Sequence, residues 1–366
     1  MRTLAGLVAL AALGFGAERW RIQYFHDEDE STLTLADFSF PTRSRGMAAG
    51  FLTEKRRERP AALVTSDGGE HWALIHPPQI ALSLFFLNET LGWMVTGDGL
   101  WKTEDFGSNW KRQNSPADCL RVWFRDANRG WAVGLRKSIH ETSDGGRTWT
   151  RVAAGDAPKA NLEFTAYSWI SFANEREGLI AGWSSPPRRS DRQRLPEWMD
   201  PEEAQGRREW PKLAILLDTR DGGAQWKPSV TSMFGRVTRI RLAPDGRGLG
   251  VVEFSDAFEW PSEVFRLDWR TGKSARVFRR KDRAVTDAAL LPDGRAYLAA
   301  IEPQGLEIRL PVPGKLKLLR SDDFVQWQEM EVDYRAYGRR AMLAAADAAH
   351  IWVATDAGMI LKLAAE

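Results

Sequence analysis

The side chains able to do chemistry are few and dispersed. The five histidines, His26, His71, His76, His140 and His350, include no pair at the short helical spacing of a zinc site. His26-Asp27-Glu28-Asp29-Glu30 is acidic enough to attract calcium, but it lacks the alternating ligands and glycine of a calcium loop. A solvated acidic turn is expected there. Gly97-Asp98-Gly99 falls between strands and not before a helix, so it is no phosphate loop. Cys119, the one cysteine, sits in an apolar strand pattern and reads as a small buried hydrophobe, and a single cysteine excludes an intramolecular disulfide. No local spacing sets two carboxylates about 5–10 Å apart across a cleft, as glycoside hydrolysis requires. Neither a metal nor a cofactor is expected.

Arginine is the chemistry that does cluster. One group is Lys55, Arg56, Arg57 and Arg59. A second is Arg188, Arg189, Arg192, Arg194, Arg207 and Arg208, interleaved with Trp198 and Trp210 and with the acids Glu197, Asp200, Glu202 and Glu203. A guanidinium fork grips a carboxylate with two hydrogen bonds, and arginine and tryptophan are favoured at interface hot spots. These residues are therefore the candidate partner-binding set, for an acidic protein segment or, alternatively, an anionic glycan. The plainer reading of the second group is a solvated loop whose mixed charges pair internally. The whole chain balances 51 Lys and Arg against 49 Asp and Glu, so any such cluster is a local field. That balance also argues against a dedicated nucleic-acid binder.

The elements that must position these groups are announced by a recurring turn. Thr65-Ser66-Asp67-Gly68-Gly69-Glu70-His71-Trp72 is one copy and Thr142-Ser143-Asp144-Gly145-Gly146-Arg147-Thr148-Trp149 another. Thr103, Asp105, Gly107 and Trp110 mark a third, and Thr219, Asp221, Gly223 and Trp226 a fourth. A worn fifth copy places Asp322 five residues before Trp327, the spacing of the others, with the threonine and glycine gone. Glycine reverses the chain at positive φ, aspartate accepts the N–H groups of its own turn, and the β-branched threonine ends the preceding strand. The tryptophan opens the next strand with an indole N–H that wants a partner.

This pattern resembles Asp-box (BNR-type) repeats, found in sialidases, some large glycosidases, sortilin-like receptors and propellers of the photosystem II assembly and stability factor type. The resemblance runs over most of the chain after the first twenty residues or so. It implies a β-propeller in which the turn itself is structural; fold alone implies no activity. A sialidase-like enzyme would need an arginine triad and a tyrosine nucleophile. Its early Arg-Ile-Pro signature is absent, since Arg21-Ile22-Gln23 is the nearest stretch, and none of the five tyrosines has a recognisable setting. The assembly-factor type implies a non-catalytic scaffold that binds a membrane-protein subunit. The expectation is an exported protein-binding scaffold and not an enzyme, with a secreted glycan-binding or glycosidase-like propeller as the alternative.

A second signature counts the blades. Phe124-Arg125-Asp126-Ala127-Asn128-Arg129-Gly130-Trp131 is a strand, a turn and a strand; it recurs at Phe86 to Trp93 and Phe172 to Leu179. Looser versions lie at Ser44 to Gly50, Pro244 to Arg247, Pro292 to Arg295 and Ala346 to Trp352, which makes seven. Asp67, Asp105 and Asp144 are 38 and 39 residues apart, the length of one four-stranded blade. The last blade is one strand short, and Arg19-Trp20-Arg21-Ile22-Gln23-Tyr24-Phe25 matches the missing outer strand. The chain is thus predicted to be all-β, a single seven-bladed propeller of four-stranded antiparallel blades over 18–366, closed by its N-terminal strand pairing with the last blade.

In such a blade the Asp-box joins the third and fourth strands on one face, and the second-to-third connections open on the other. Those connections vary in length: tight at Thr96-Gly97-Asp98-Gly99 and Gly134-Leu135-Arg136-Lys137, eight residues at Thr53 to Pro60, and longest as a blade-four insertion over about 184–211. Residues 1–17, with Arg2 ahead of an apolar run from Leu4 to Gly16, read as a cleaved signal peptide and predict a periplasmic or secreted monomer without a stable membrane span.

Overall fold

Strand Gly92–Thr96 is buried along its entire length, and so is Gly130–Gly134. Strands that read as continuous apolar runs pack on both faces. Here each blade is a sheet standing between two others. The outermost strands are different: Lys111–Gln113 and Thr150–Arg151 are short and exposed. The computed structural model describes residues 18–185, 211–254, 260–302 and 313–364. The signal peptide predicted over 1–17 lies outside them, as does the arginine-rich insertion.

The strands form seven antiparallel sheets in chain order, and only the last breaks that order. Blade one is Ser31–Ser39, Gly46–Glu54, Arg57–Thr65 and Ala73–Ile75. Blade seven is Ala341–Asp347, His350–Thr355 and Met359–Ala364, completed by Arg19–Phe25 from the other end of the chain. The closing strand runs antiparallel to Met359–Ala364, from Arg19 opposite Ala364 to Phe25 opposite Met359. Its outer edge is then covered by Glu331–Val332 in parallel. The ring therefore closes as the sequence predicts, and the closing strand leaves no open ladder at its start.

The core lies between blades. The Trp93 ring of blade two stacks on Phe124 of blade three, centroids 3.6 Å apart and planes nearly parallel. Trp352 of blade seven stacks in the same way on Phe40 of blade one. Each indole N–H also crosses the interface, from Trp93 to the carbonyl of Gly145 and from Trp352 to that of Gly68. The Gly-Trp signature is thus an inter-blade wedge seated under the next Asp-box turn.

One predicted loop is not a loop. The segment Thr53 to Pro60 is a continuation of two strands, Gly46–Glu54 and Arg57–Thr65, joined by Lys55 and Arg56 alone. Both have left-handed backbone, φ 46° and 65°, the conformation a two-residue hairpin turn needs to match strand twist. Neither residue type advertises that conformation, so the sequence concealed the turn. Arg57 and Arg59 accordingly sit on a strand.

Candidate functional site

The Asp-box turns come first, because they hold the most regular polar chemistry. In each good copy the threonine hydroxyl donates to the aspartate and accepts the N–H of the second glycine position. For Thr142 the distances are 2.8 Å to Asp144 Oδ1 and 3.0 Å from Gly146 N. The same pair of bonds recurs at Thr65, Thr103 and Thr219. The aspartate then accepts N–H groups further along the turn, as Asp67 does from His71, Asp105 from Asn109 and Asp221 from Gln225. These hydrogen bonds hold the carboxyls of Asp67, Asp105, Asp144 and Asp221 below the usual carboxylate range. Each carboxylate is hydrogen-bonded within its own turn, which gives the boxes a structural role. The first left-handed position need not be glycine: Phe106 and Phe324 hold it with φ near 60° and are buried.

The tryptophans of the boxes differ in how they are satisfied. Trp149 donates to the carbonyl of Asn114. The indole N–H groups of Trp72, Trp110, Trp226 and Trp327 are buried with no partner among the described residues. The fifth copy departs from its sequence assignment. Ser321 takes the place of the threonine, and its hydroxyl donates to Asp323. Asp323, not Asp322, accepts the N–H groups of Val325 and Gln326. Asp322 instead pairs with Arg320. This turn is one residue shorter, so counting back five from Trp327 lands one position early.

The basic set of blade one is not an isolated positive patch. Lys55, Arg57 and Arg59 share a depression with Glu28, Asp29, Glu30 and Glu54, and Arg59 pairs with Glu54 at 3.5 Å. The acidic turn after the closing strand thus answers the basic hairpin. Arg188, Arg189, Arg192, Arg194, Trp198, Arg207, Arg208 and Trp210 lie outside the described residues.

The central channel holds the cluster that sequence reasoning missed. In blades one to six the innermost strand carries a β-bulge, which re-aims the residue that follows it. Those residues are Asp37, Ser83, Arg121, Trp169, Arg239 and Asp287. Several reach the next blade around the ring. Asp37 accepts Leu84 N at 2.9 Å and Asp287 accepts Leu343 N at 3.0 Å. Ser83 donates to the carbonyl of Leu120, and the Trp169 indole to that of Ile240. Each also stands nine positions before Gly46, Gly92, Gly130, Gly178, Gly248 or Ala296. That spacing was present in the sequence, but the bulge that gives it meaning was not.

Three guanidiniums gather on one indole in this channel. Arg121, Arg239 and Arg241 lie 4.3, 4.7 and 5.1 Å from the Trp169 ring centre. Asp37 pairs with Arg121 at 3.3 Å, and Asp287 with Arg241 at 3.0 Å and with Arg239 at 3.5 Å. Burial, reinforced by the charges of Arg340 and Arg121 against the pull of Asp287, brings Arg239 down to about 10. It keeps its charge at neutral pH. The cluster borders a cavity of about 250 Å³ with a mainly polar lining; Phe38, Leu84, Val122, Ile170 and Leu343 border it from the inter-blade cores in which their side chains are buried.

Elsewhere the chemistry is bland. Burial pushes the Cys119 thiol up to about 12, which suits the inert reading. Among the described residues no three His, Cys, Asp or Glu side chains group as metal ligands. No helix among them is long and apolar enough to cross a membrane.

The fold and its turns define an Asp-box seven-bladed β-propeller. Known proteins of similar fold agree with this class. The family model described as photosynthesis system II assembly factor YCF48 matches residues 113–186. The structure is similar to that of YCF48 bound to D1 peptide, at 16% identity over 93% of this chain and 99% of the other, with a TM-score of 0.60. It is similar also to YCF48 from Cyanidioschyzon merolae, at 16% identity over 94% and 98% of the two chains, TM-score 0.57. The extracellular domain of a putative one-component system from B. thetaiotaomicron aligns at 10% identity over 94% of this chain and 40% of its own, TM-score 0.57. Among curated protein sequences none matches.

Proposed function

We propose that this chain is an exported, non-catalytic scaffold that binds a protein partner, an envelope or membrane-protein subunit during its assembly, through the face that carries the channel mouth and the second-to-third-strand connections. The observation that carries the reading is the saturation of the channel carboxylates. Asp37 and Asp287 each hold a backbone N–H of the next blade and at least one arginine, so neither is placed as a proton carrier. The channel is left with more guanidinium than carboxylate, which suits recognition of an acidic segment rather than bond cleavage. The similarity to YCF48, which is seen bound to a D1 peptide, supports the same reading. Every tryptophan among the described residues is buried or half-buried, so none of them offers the glycan-binding alternative an exposed indole platform.

The test is capture from envelope extracts by the chain from Glu18 onward, followed by cross-linking to locate the contact. One subunit should be retained, cross-linked from the connection face, and released as salt rises, because exposed charge attraction is screened over about 10 Å at 0.1 M and about 3 Å at 1 M. Deletion of residues 185–209 should weaken capture if the insertion contributes. Cross-links confined to the Asp-box face would overturn the assignment of face.

A further inference from the structure

Of the two buried arginines among the described residues, Arg239 is the less hydrogen-bonded. Its residue is 8% exposed, yet its hydrogen bonding is thin. Nη1 donates to the carbonyl of Thr238, and Nε faces Asp287 only at 3.5 Å. A guanidinium carries five N–H donors, and the rest of these have no acceptor among the described residues. None of those donor atoms is sealed from solvent, so they open on the channel. The neighbouring carboxylates are engaged elsewhere. Arg241 takes the shorter contacts to Asp287, with Nη2 at 3.0 and 3.2 Å from its two oxygens, and its Nε donates to the carbonyl of Ala288. Arg121 engages Asp37 across the channel. The cluster therefore sets three cations against two carboxylates, with Arg340 near enough to add to the positive field.

We infer that the central cavity is a receptor for a single carboxylate, gripped by Arg239 between Arg121 and Arg241 above the Trp169 ring. One negative charge balances the three cations against Asp37 and Asp287. The planar fork of a guanidinium matches a carboxylate with two parallel hydrogen bonds. About 250 Å³ holds a group of a few heavy atoms, below the roughly 300–1,000 Å³ of pockets for larger ligands. The carboxylate arrives on a small free acid or on an acidic side chain of a bound partner. This reading shares the channel with the proposed function but does not require the partner to be a protein.

The experiment titrates the folded chain from Glu18 onward with sodium propionate, with propionamide as its uncharged analogue and with inorganic phosphate, all at one ionic strength. Calorimetry gives affinity, and the arginine Nε–Hε resonances report which side chains are touched. Propionate should bind saturably and shift an arginine signal that Arg239→Met removes. That variant should weaken binding at least tenfold, whereas Arg266→Met on the exposed side of the same blade should not. Arg121→Gln, on another blade, gives a second reading should Arg239→Met lower the melting temperature sharply, and should weaken binding at least threefold. An acetylated, amidated peptide with one glutamate separates the sources: tighter binding than propionate assigns the pocket to a partner's side chain, and no tighter binding assigns it to a free acid. Propionate binding no better than propionamide, binding matched by phosphate, or binding indifferent to both arginine variants would overturn the inference. None of those failures would touch capture of a protein by the connection face.

Discussion

At the scale of single residues, the Asp-box depends on a partnership the sequence only half displays. The aspartate's role in its own turn is legible from residue type, but the threonine is not simply a β-branched strand end. Its hydroxyl is the hinge between the carboxylate and the glycine N–H; at Ser321 a serine keeps the donation to the carboxylate, while the N–H of Val325 goes to Asp323 itself. Thr142→Val keeps the shape and the strand propensity while leaving Gly146 N and Asp144 without this partner. Leaving buried polar groups unmatched costs about 1–3 kcal/mol, so urea unfolding should show a loss in that range. An unchanged midpoint would make the hydroxyl incidental. The same hydrogen bonds predict a pH response. Asp67, Asp105, Asp144 and Asp221 have folded pKa values lowered below the unfolded value near 4, so the unfolded state binds protons first as pH falls. Their contribution is whole above about pH 4 and is lost progressively below it. Melting temperature should therefore fall between pH 4 and pH 2 by less in a variant with all four replaced by asparagine than in the parent chain. Equal acid sensitivity in the two would place the titrating groups elsewhere.

At the scale of elements, strands and turns were the legible part because their signals are local. Every tight turn that the sequence marked by Gly-Trp or Asp-Gly falls between the strands it predicts, and Arg19–Phe25 closes the ring over the range the sequence assigns. What stayed hidden had no local marker. The left-handed Lys55 and Arg56, the displaced Asp323 and the bulges ahead of Asp37, Arg121 and Arg239 are set by pairing partners distant in sequence. The closing strand gives the sharpest test. Trp20 is fully buried against Tyr297, edge to face at 6.5 Å, and its indole N–H points at the Met330 sulfur 3.3 Å away. Glu18 adds a tether, with Arg320 at 2.8 Å and Arg295 at 3.7 Å. Trp20→Ala should cost about 3–5 kcal/mol, the usual loss for a packed aromatic side chain. Deleting residues 19–25 should expose the Met359–Ala364 edge and promote self-association. A monomeric truncated chain with the parental melting profile, seen by light scattering and calorimetry, would mean that the strand is dispensable.

At the scale of the whole molecule, the ring makes the first and last blades neighbours, and their junction tests whether the propeller unfolds as one unit. The apolar clusters span blades, so no blade owns a complete core. One cluster joins Leu33, Phe40, Ala61 and Leu63 of blade one and its flanks to Met342, Trp352, Ala354 and Ile360 of blade seven. Trp352 is the centre of that seam: fully buried, stacked on Phe40, and bonded through its indole to Gly68 O at 3.0 Å, some 284 positions away in the chain. Trp352→Ala should remove about 3–5 kcal/mol. The distribution of the loss is the informative quantity. In a cooperative ring, amide exchange at Leu63 of blade one and at Ile215 of blade four should accelerate together, since both would open only with global unfolding. Acceleration confined to blade one and blade seven would show a seam that opens while the remaining blades hold, and the propeller would then behave as an array with nearest-neighbour coupling. The cross-blade bonds of Asp37, Ser83, Trp169 and Asp287 around the channel favour the cooperative outcome, because four of the seven inner strands are tied by them to the next as well as through the core.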